Sequence, residues 1–167
     1  MVARVEDVWA MARVVIFRAV LAIALVAGSA MATLAGERPT AQVVSMEPHD
    51  GAFVVPVVLN DVMTVKFIVD SGSADVSIPE EVASSLMKSG TMTGADLLGN
   101  KTYMLADGSL APSKIYRLAS LRIGGMVMQN ITVRISPAKS SLLLGQSFLS
   151  RLKSWSMDNS RQVMIIN

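Results

Sequence analysis

The hydrophobic and polar positions of the chain divide it into three parts. Residues 19–36 form a run of 18 residues without a charged side chain. Residues 37–50 are mostly polar and contain two prolines, a composition typical of a linker. From residue 51 onward the apolar runs are short and are separated by turn residues, as in a β protein. We therefore divide the chain into residues 1–36, 37–50 and 51–167.

Most of the predicted elements are strands. Two runs rich in β-branched residues flank Asn60-Asp61, which predicts a hairpin with these two residues in the turn. Gly124-Gly125 predicts a second tight turn with positive φ at both glycines. Pro56 has no N–H to donate, so we expect it at an edge or a bulge. The predicted strands are residues 42–46, within the linker, and 52–59, 62–69, 101–105, 113–123, 126–135, 155–158 and 162–166.

Only two short helices are predicted. Pro79 followed by Glu80-Glu81 favours a helix start, because proline suits the first turn and acidic groups complement the helix dipole. This helix is expected to run to about Lys88, and a second to cover residues 146–152. Short strands, regular turns and few helices predict an all-β fold, a small barrel or sandwich.

Composition and charge exclude several classes of protein. With 167 residues, 51% hydrophobic and 17% charged, and a mean hydropathy of +0.48, the chain can form one compact domain. The net charge of +2 is spread along the chain, so we expect no nucleic-acid partner. The chain has no cysteine and one histidine, His49, which excludes thiol chemistry and leaves a Ser–His–Asp triad dependent on His49. The 12 methionines are interpreted mainly as core residues, and we expect no metal and no cofactor.

The N-terminal part has the features of an export signal. Arg13 and Arg18 precede an apolar run, and residues 30–32 (AMA) offer small residues at cleavage spacing. Translation from Met11 instead of Met1 would give a more typical signal. An uncleaved anchor is the alternative, since 18 uncharged residues approach the length that spans a membrane. We expect an exported domain, either periplasmic or anchored in the inner membrane and facing the periplasm.

Candidate chemistry lies at the end of the second strand of the hairpin. An apolar run ends at Asp70, and Ser71, Gly72 and Ser73 follow directly. Asp-Ser-Gly is also ordinary turn chemistry, so Asp70 has a purely structural alternative.

Aspartate-based hydrolysis needs two neighbouring carboxylates that share one proton. Asp75 follows Asp70 too closely on the same loop, and Asp61 and Asp158 lie in turn-like sequence. If Asp70 is catalytic, the second carboxylate must come from Asp70 of another subunit, as in a twofold-symmetric homodimer.

Four stretches resemble retropepsin-like aspartic proteases, of the single-domain kind found behind export signals in bacteria. Residues 69–73 (VDSGS) resemble the catalytic loop of that family, and residues 103–109 (YMLADGS) its flap strand and tip. Residues 143–149 (LLGQSFL) resemble the element before its C-terminal helix, and residues 155–159 (WSMDN) its terminal strand. The resemblance implies a closed β-barrel with half of an active site per chain.

The resemblance also implies roles for individual residues. Asp70 would be the shared-proton acid and base, Ser71 would brace the partner loop, and Gly72 would donate an N–H near the carboxylates. The substrate would be a polypeptide in extended conformation, added as a strand to the site. The remaining implied site residues are Ser73 in the active-site loop, Ala106, Asp107, Gly108 and Ser109 in the flap, and Leu144 and Gly145 beneath the loop.

Three functions remain open at this point. The first is an exported aspartic endopeptidase that acts as a homodimer. The second is a non-catalytic module of the same fold that binds extended peptides or mediates assembly, and the third is a structural envelope protein. Asp70→Asn distinguishes the first two, because a protease loses turnover and a binding module keeps its affinity.

Overall fold

The computed structural model describes residues 41–167, and the predicted signal or anchor segment lies outside them. Among the residues described, no helix is long and apolar enough to cross a membrane. The elements in chain order are β1 (Gln42–Ser45), β2 (Glu47–His49), β3 (Ala52–Leu59), β4 (Met63–Val69), β5 (Val76–Pro79), α1 (Glu80–Lys88), a 3₁₀ helix (Gly94–Asp96), β6 (Leu97–Met104), β7 (Leu110–Ile123), β8 (Met126–Ser136), β9 (Leu143–Leu144), α2 (Gln146–Leu149), β10 (Trp155–Asp158) and β11 (Val163–Ile166).

The main sheet closes on itself. Its strand order is β2-β3-β4-β9-β5-β8-β7-β6, and an additional pairing of β3 with β7 joins β3, β4, β9, β5, β8 and β7 into a ring. The closing contact is short and pairs Val58 with Arg122 and Leu59 with Leu121. Fully buried side chains such as Phe67, Leu118 and Phe148 belong to the core. The predicted all-β fold with a closed sheet is confirmed.

A second sheet of three strands is formed by the two ends of the described region. Its order is β1-β11-β10, with both pairings antiparallel. Strand β1 confirms the strand predicted at residues 42–46 within the linker, whereas β2 was not predicted. Val44 and Met46 are buried in the core, and the charged and proline residues that follow them hide β2 in the sequence.

The predicted turns are mostly confirmed. Asn60 and Asp61 have φ of 47° and 57°, the positive values that a type I′ hairpin turn requires. Gly124 has φ of 55°, but Gly125 is not in the positive-φ region, so the prediction for the second glycine was wrong. Pro56 lies in the middle of β3. One edge of β3 pairs with β2 before Pro56 and with β7 after it, so at Pro56 this edge has no partner strand in the part of the chain described.

Helix α1 follows the prediction, since it begins at Glu80 and ends at Lys88. Helix α2 ends at Leu149, three residues before its predicted end. Strands β5 and β9 were not predicted, because segments of four and two residues are too short to show an alternation of apolar and polar side chains. Both pair in parallel with distant strands, β5 with β8 and β9 with β4.

Asp158 closes the hairpin between β10 and β11. Its carboxylate accepts hydrogen bonds from the Arg161 N–H at 3.0 Å and the Ser160 hydroxyl at 2.7 Å, and it pairs with Arg161 Nε at 2.8 Å. These contacts, the backbone hydrogen bond first, lower the pKa of Asp158 below its ordinary value of 3.8. The ionised carboxylate therefore stabilises the fold above that pH, and the contribution disappears as the pH falls through the lowered value.

We expect Asp158→Asn to lower the melting temperature at about pH 6, and the difference to shrink as the pH falls below 3.8 and the wild-type carboxyl takes up its proton. Thermal denaturation across this range measures the difference. Asp50→Asn is the matched control, because the Asp50 side chain is 94% exposed. A melting-temperature difference for Asp158→Asn that does not change with pH would contradict the role of the charge.

Candidate active site

Asp70 follows the last residue of β4 and lies half-buried in a cleft of about 550 Å³. The cleft lies between the loop after β4 and the strand β6, with β8 and β9 at its base. Its lining residues are Asp70, Gly72, Ser73, Ala74, Thr102, Tyr103, Met104, Leu105, Ala106, Arg134 and Leu143. The structure thus brings the predicted loop together with Ala106 of the predicted flap.

The loop after Asp70 is held from below by β9 and the start of α2. The Asp70 N–H donates to the Leu144 carbonyl at 3.2 Å, which continues the parallel pairing of β4 with β9. The Gln146 N–H donates to Ser73 O at 2.8 Å, and the Ser147 N–H donates to Ala74 O at 3.1 Å. These bonds fix the backbone on both sides of the carboxylate, as predicted for the segment around Leu144.

Gly145 fits against this loop because it has no side chain. A Cβ atom built on Gly145 would lie 2.8 Å from Ser73 O and would also collide with the Asp75 carbonyl group. Real Cβ atoms essentially never approach other atoms this closely, so the position requires glycine. The sequence analysis placed Gly145 beneath the loop, and the structure places it there.

The Asp70 carboxylate is oriented by its own loop. The Gly72 N–H donates to Asp70 Oδ1 at 2.9 Å, and a Cβ on Gly72 would lie 3.3 Å from the same oxygen. Ser71 is exposed, and its carbonyl accepts a hydrogen bond from Gln146 Nε2 at 2.8 Å. Its hydroxyl makes no hydrogen bond to any residue that the structure describes, and it is thus available to a molecule on the open side of the loop.

Residues 106–109 form the tight turn between β6 and β7. The Gly108 N–H donates to Leu105 O at 2.9 Å, and Gly108 has φ of 82°. Asp107 Oδ1 accepts from the Ser109 hydroxyl at 2.7 Å and from the Ser109 N–H at 2.9 Å. These hydrogen bonds, the hydroxyl first, lower the pKa of Asp107 below its ordinary value. The turn is therefore a defined hairpin tip.

Apolar side chains flank this tip and are not covered. Met104 is 77% exposed and Leu110 is 68% exposed, on the two strands that lead into and out of the turn. Large exposed apolar side chains that cluster at one place commonly mark a contact surface. The tip of the β6–β7 hairpin is therefore suited to cover an apolar ligand or a second chain.

A buried network that sequence reasoning missed joins the loop to β6. Asp75 is 8% exposed and accepts hydrogen bonds from the Tyr103 hydroxyl at 2.5 Å and from Lys101 Nζ at 2.9 Å. Burial raises the pKa of Tyr103 above its ordinary value, and the hydrogen bond to Asp75 raises it further. Tyr103 therefore remains a protonated donor, and β6 is tied to the loop that follows Asp70. The only indication of this network in the sequence was that Lys101 and Tyr103, two residues apart, share one face of a predicted strand.

We expect Tyr103→Phe to lower the free energy of unfolding by about 1–2 kcal/mol, because it leaves the buried Asp75 carboxylate without one of its donors. Urea denaturation monitored by circular dichroism measures the change. Tyr116→Phe is the matched control, since Tyr116 is equally buried but its hydroxyl has no hydrogen-bond partner among the residues described. Equal effects of the two substitutions would contradict a specific role of the Tyr103–Asp75 bond.

The other carboxylates considered in the sequence analysis are each paired with a cation. Asp75 contacts Lys101, Asp61 contacts Arg122 and Asp158 contacts Arg161. His49 is exposed beside Asp50 and does not line the cleft. Within residues 41–167, no three His, Cys, Asp or Glu side chains are grouped so as to hold a metal ion. Of the carboxylates in this described region, Asp70 alone lines the cleft.

Comparisons with known proteins agree with this geometry. A family model described as aspartyl protease matches residues 55–148, from β3 to α2. The crystal structure of a retropepsin-like aspartic protease from Rickettsia conorii is similar with a TM-score of 0.58 and 27% sequence identity, over 76% of this chain and 89% of that chain. A search of curated proteins finds no match.

Proposed function

The chain belongs to the aspartyl protease family and is retropepsin-like, and on this basis we propose that it is an exported aspartic endopeptidase that acts as a homodimer. One observation carries the proposal, namely the position of Asp70. It lies in a cleft, on a loop held by hydrogen bonds, and the tip of the β6–β7 hairpin borders this cleft. A loop that served only as a turn would not need the close fit of Gly145 or the hydrogen bonds from α2.

The homodimer follows from the number of available carboxylates. Among the residues that the structure describes, each chain offers Asp70 alone to its cleft, whereas acid hydrolysis of a peptide bond uses two carboxylates. A twofold axis beside the loop brings Asp70 of two copies together, because such an axis pairs identical residues. The Ser71 hydroxyl supports this arrangement, since it is exposed and makes no hydrogen bond within residues 41–167. In the proposed dimer it would hydrogen-bond across the axis.

In the proposed reaction, one Asp70 carboxylate accepts a proton from a water molecule as the water oxygen bonds to the carbonyl carbon of the substrate. The other Asp70, protonated, donates its proton to the carbonyl oxygen, which gives a neutral tetrahedral diol. The diol then collapses as the C–N bond breaks. The leaving nitrogen takes a proton from the carboxyl that received one, and one diol hydroxyl gives its proton to the other carboxylate as the C=O bond re-forms. The pair thus ends with one shared proton, as it began.

The β6–β7 hairpin acts as the flap in this proposal. Its tip, with Ala106, Asp107, Gly108 and Ser109, would close over an extended peptide and exclude bulk water from the reaction. The exposed apolar side chains beside the tip support this role, because closure would bury them.

Export is proposed from the N-terminal sequence. Residues 19–36 carry no charge and follow Arg13 and Arg18, which suits a signal peptide or an anchor. The mature N-terminus of the protein recovered from cells, determined by peptide mapping, tests this. A start near residue 33 supports cleavage, the intact segment in a membrane fraction supports an anchor, and an intact cytoplasmic protein contradicts export.

The function is tested by incubating the full chain with a complex peptide mixture at pH values from acidic to neutral. New peptide termini that appear with time, and are absent without the protein, are expected from an endopeptidase. A folded, dimeric protein that binds extended peptides and cleaves none would contradict the proposal and favour the peptide-binding module.

A further inference from the structure

Within the described part of the chain, one cation lines the cleft. Among the lining residues only Asp70 and Arg134 are charged. Arg134 lies on β8 and is half-buried, and it takes part in no ion pair within the residues that the structure describes. A partly buried guanidinium that has no anionic partner is available to bind an acidic ligand.

The Arg134 guanidinium is held in place by two contacts. Its central carbon lies 4.9 Å from the centroid of the Tyr103 ring, and its Nε donates to Ser77 Oγ at 3.1 Å. Neither contact uses the two terminal nitrogens, which make no hydrogen bond to other parts of the described chain. Arginine fixed in this way presents a planar pair of donors that matches the two oxygens of a carboxylate.

The nearest carboxylate of the network does not neutralise Arg134. Asp75 hydrogen-bonds the hydroxyl of Tyr103, but its charge is paired with Lys101 at 2.9 Å. Asp70, the other charged residue of the cleft, makes no ion pair with Arg134 in the part of the chain described. In the proposed dimer the two Asp70 carboxyls share one proton and carry one negative charge, whereas the two Arg134 side chains carry two positive charges. An acidic group that enters the cleft would therefore find a fixed cationic partner there.

We propose that Arg134 is a specificity-determining residue that selects polypeptide substrates with an acidic side chain, Asp or Glu, close to the scissile bond. This inference rests on the proposed function. Because Arg134 and Asp70 line the same cleft, the selected position lies near the bond that is cleaved. In a twofold-symmetric dimer each half-cleft carries one Arg134, so the preference applies to positions equidistant from the bond on its two sides.

Profiling of cleavage sites in a peptide mixture identifies the position, and matched peptides with Glu or Gln there measure the preference as a ratio of kcat/KM. We expect the wild type to prefer Glu by about tenfold or more. Arg134→Gln is expected to bring the ratio close to one, and Arg134→Glu to favour Lys over Glu. Each ratio is taken within one variant, so a general loss of activity cancels.

Arg117→Glu is the control, because it makes the same charge change at an exposed residue of β7 that does not line the cleft, and it should keep the wild-type ratio. Asp70-dependent cleavage without any preference for acidic residues, or with a preference that survives Arg134→Gln, overturns the inference and leaves the proposed function intact.

Failure of the proposed function gives a different result, namely no Asp70-dependent cleavage at all. In that case the same Glu and Gln peptides are compared by equilibrium binding to the full chain. Tighter binding of the Glu peptide that Arg134→Gln removes supports the acid-selective site, and equal binding of the two peptides refutes it.

Discussion

Asp70→Asn is expected to abolish peptide cleavage, with a fall in kcat of about 10⁴-fold or more. The amide has nearly the same shape as the carboxylate, and its oxygen still accepts the Gly72 N–H that now lies 2.9 Å from Asp70 Oδ1. It cannot, however, accept a proton from water or share one with a second carboxylate. Cleavage rates of a peptide substrate, with circular dichroism and the oligomeric state of each protein, measure the effect.

The control for this substitution is Asp50→Asn, which makes the same chemical change at a residue outside the cleft. It should leave the cleavage rate unchanged. If Asp70→Asn cleaves as fast as the wild type, the activity belongs to a contaminant or to another group, and the assignment of Asp70 fails.

Gly145→Ala is expected to lower the free energy of unfolding by roughly 3 kcal/mol and to reduce activity further than stability alone explains. The new methyl group would lie 2.8 Å from Ser73 O and would collide with the Asp75 carbonyl, so the loop that carries Asp70 must move. Backbone atoms on a loop held by several hydrogen bonds cannot yield as a flexible side chain does. Urea denaturation gives the stability change, and peptide cleavage under fully folded conditions gives the effect on catalysis.

Gly94→Ala is the matched control, because a Cβ at Gly94 meets no atom within 4 Å and its φ is not in the positive region. Its free energy of unfolding should stay within about 0.5 kcal/mol of the wild type. If Gly145→Ala unfolds at the same urea concentration as the wild type and keeps its activity, the close fit beneath the loop is not what holds Asp70.

Local features of the site could be predicted from the sequence. The geometry around Asp70 is encoded within a few residues, because the apolar strand, the carboxylate and the turn residues Ser71 and Gly72 are contiguous in the sequence. The start of α1 at Glu80 is local in the same way, since a proline before two acidic residues is a helix signal by itself. The turn at Gly108 follows from turn chemistry that needs no tertiary contact.

Features that depend on long-range contacts could not be predicted. Asp75 binds Lys101 and Tyr103, which are 26 and 28 residues away, and no local pattern relates the three. Arg134 enters the cleft only because β8 pairs in parallel with β5, a strand of four residues whose period is too short to see. Such contacts are set by the closing of the sheet, so they become visible only in the folded chain.

The most direct test of the proposed homodimeric protease is the activity of mixtures of wild-type and Asp70→Asn subunits at constant total protein. If both Asp70 carboxylates of a dimer are needed, a mixed dimer is inactive, and activity falls with the square of the wild-type fraction. An equal mixture, allowed to exchange subunits fully, should then show about a quarter of the wild-type rate. A linear fall, to about half the wild-type rate in the same mixture, would show that each subunit works alone and would contradict the paired-carboxylate mechanism.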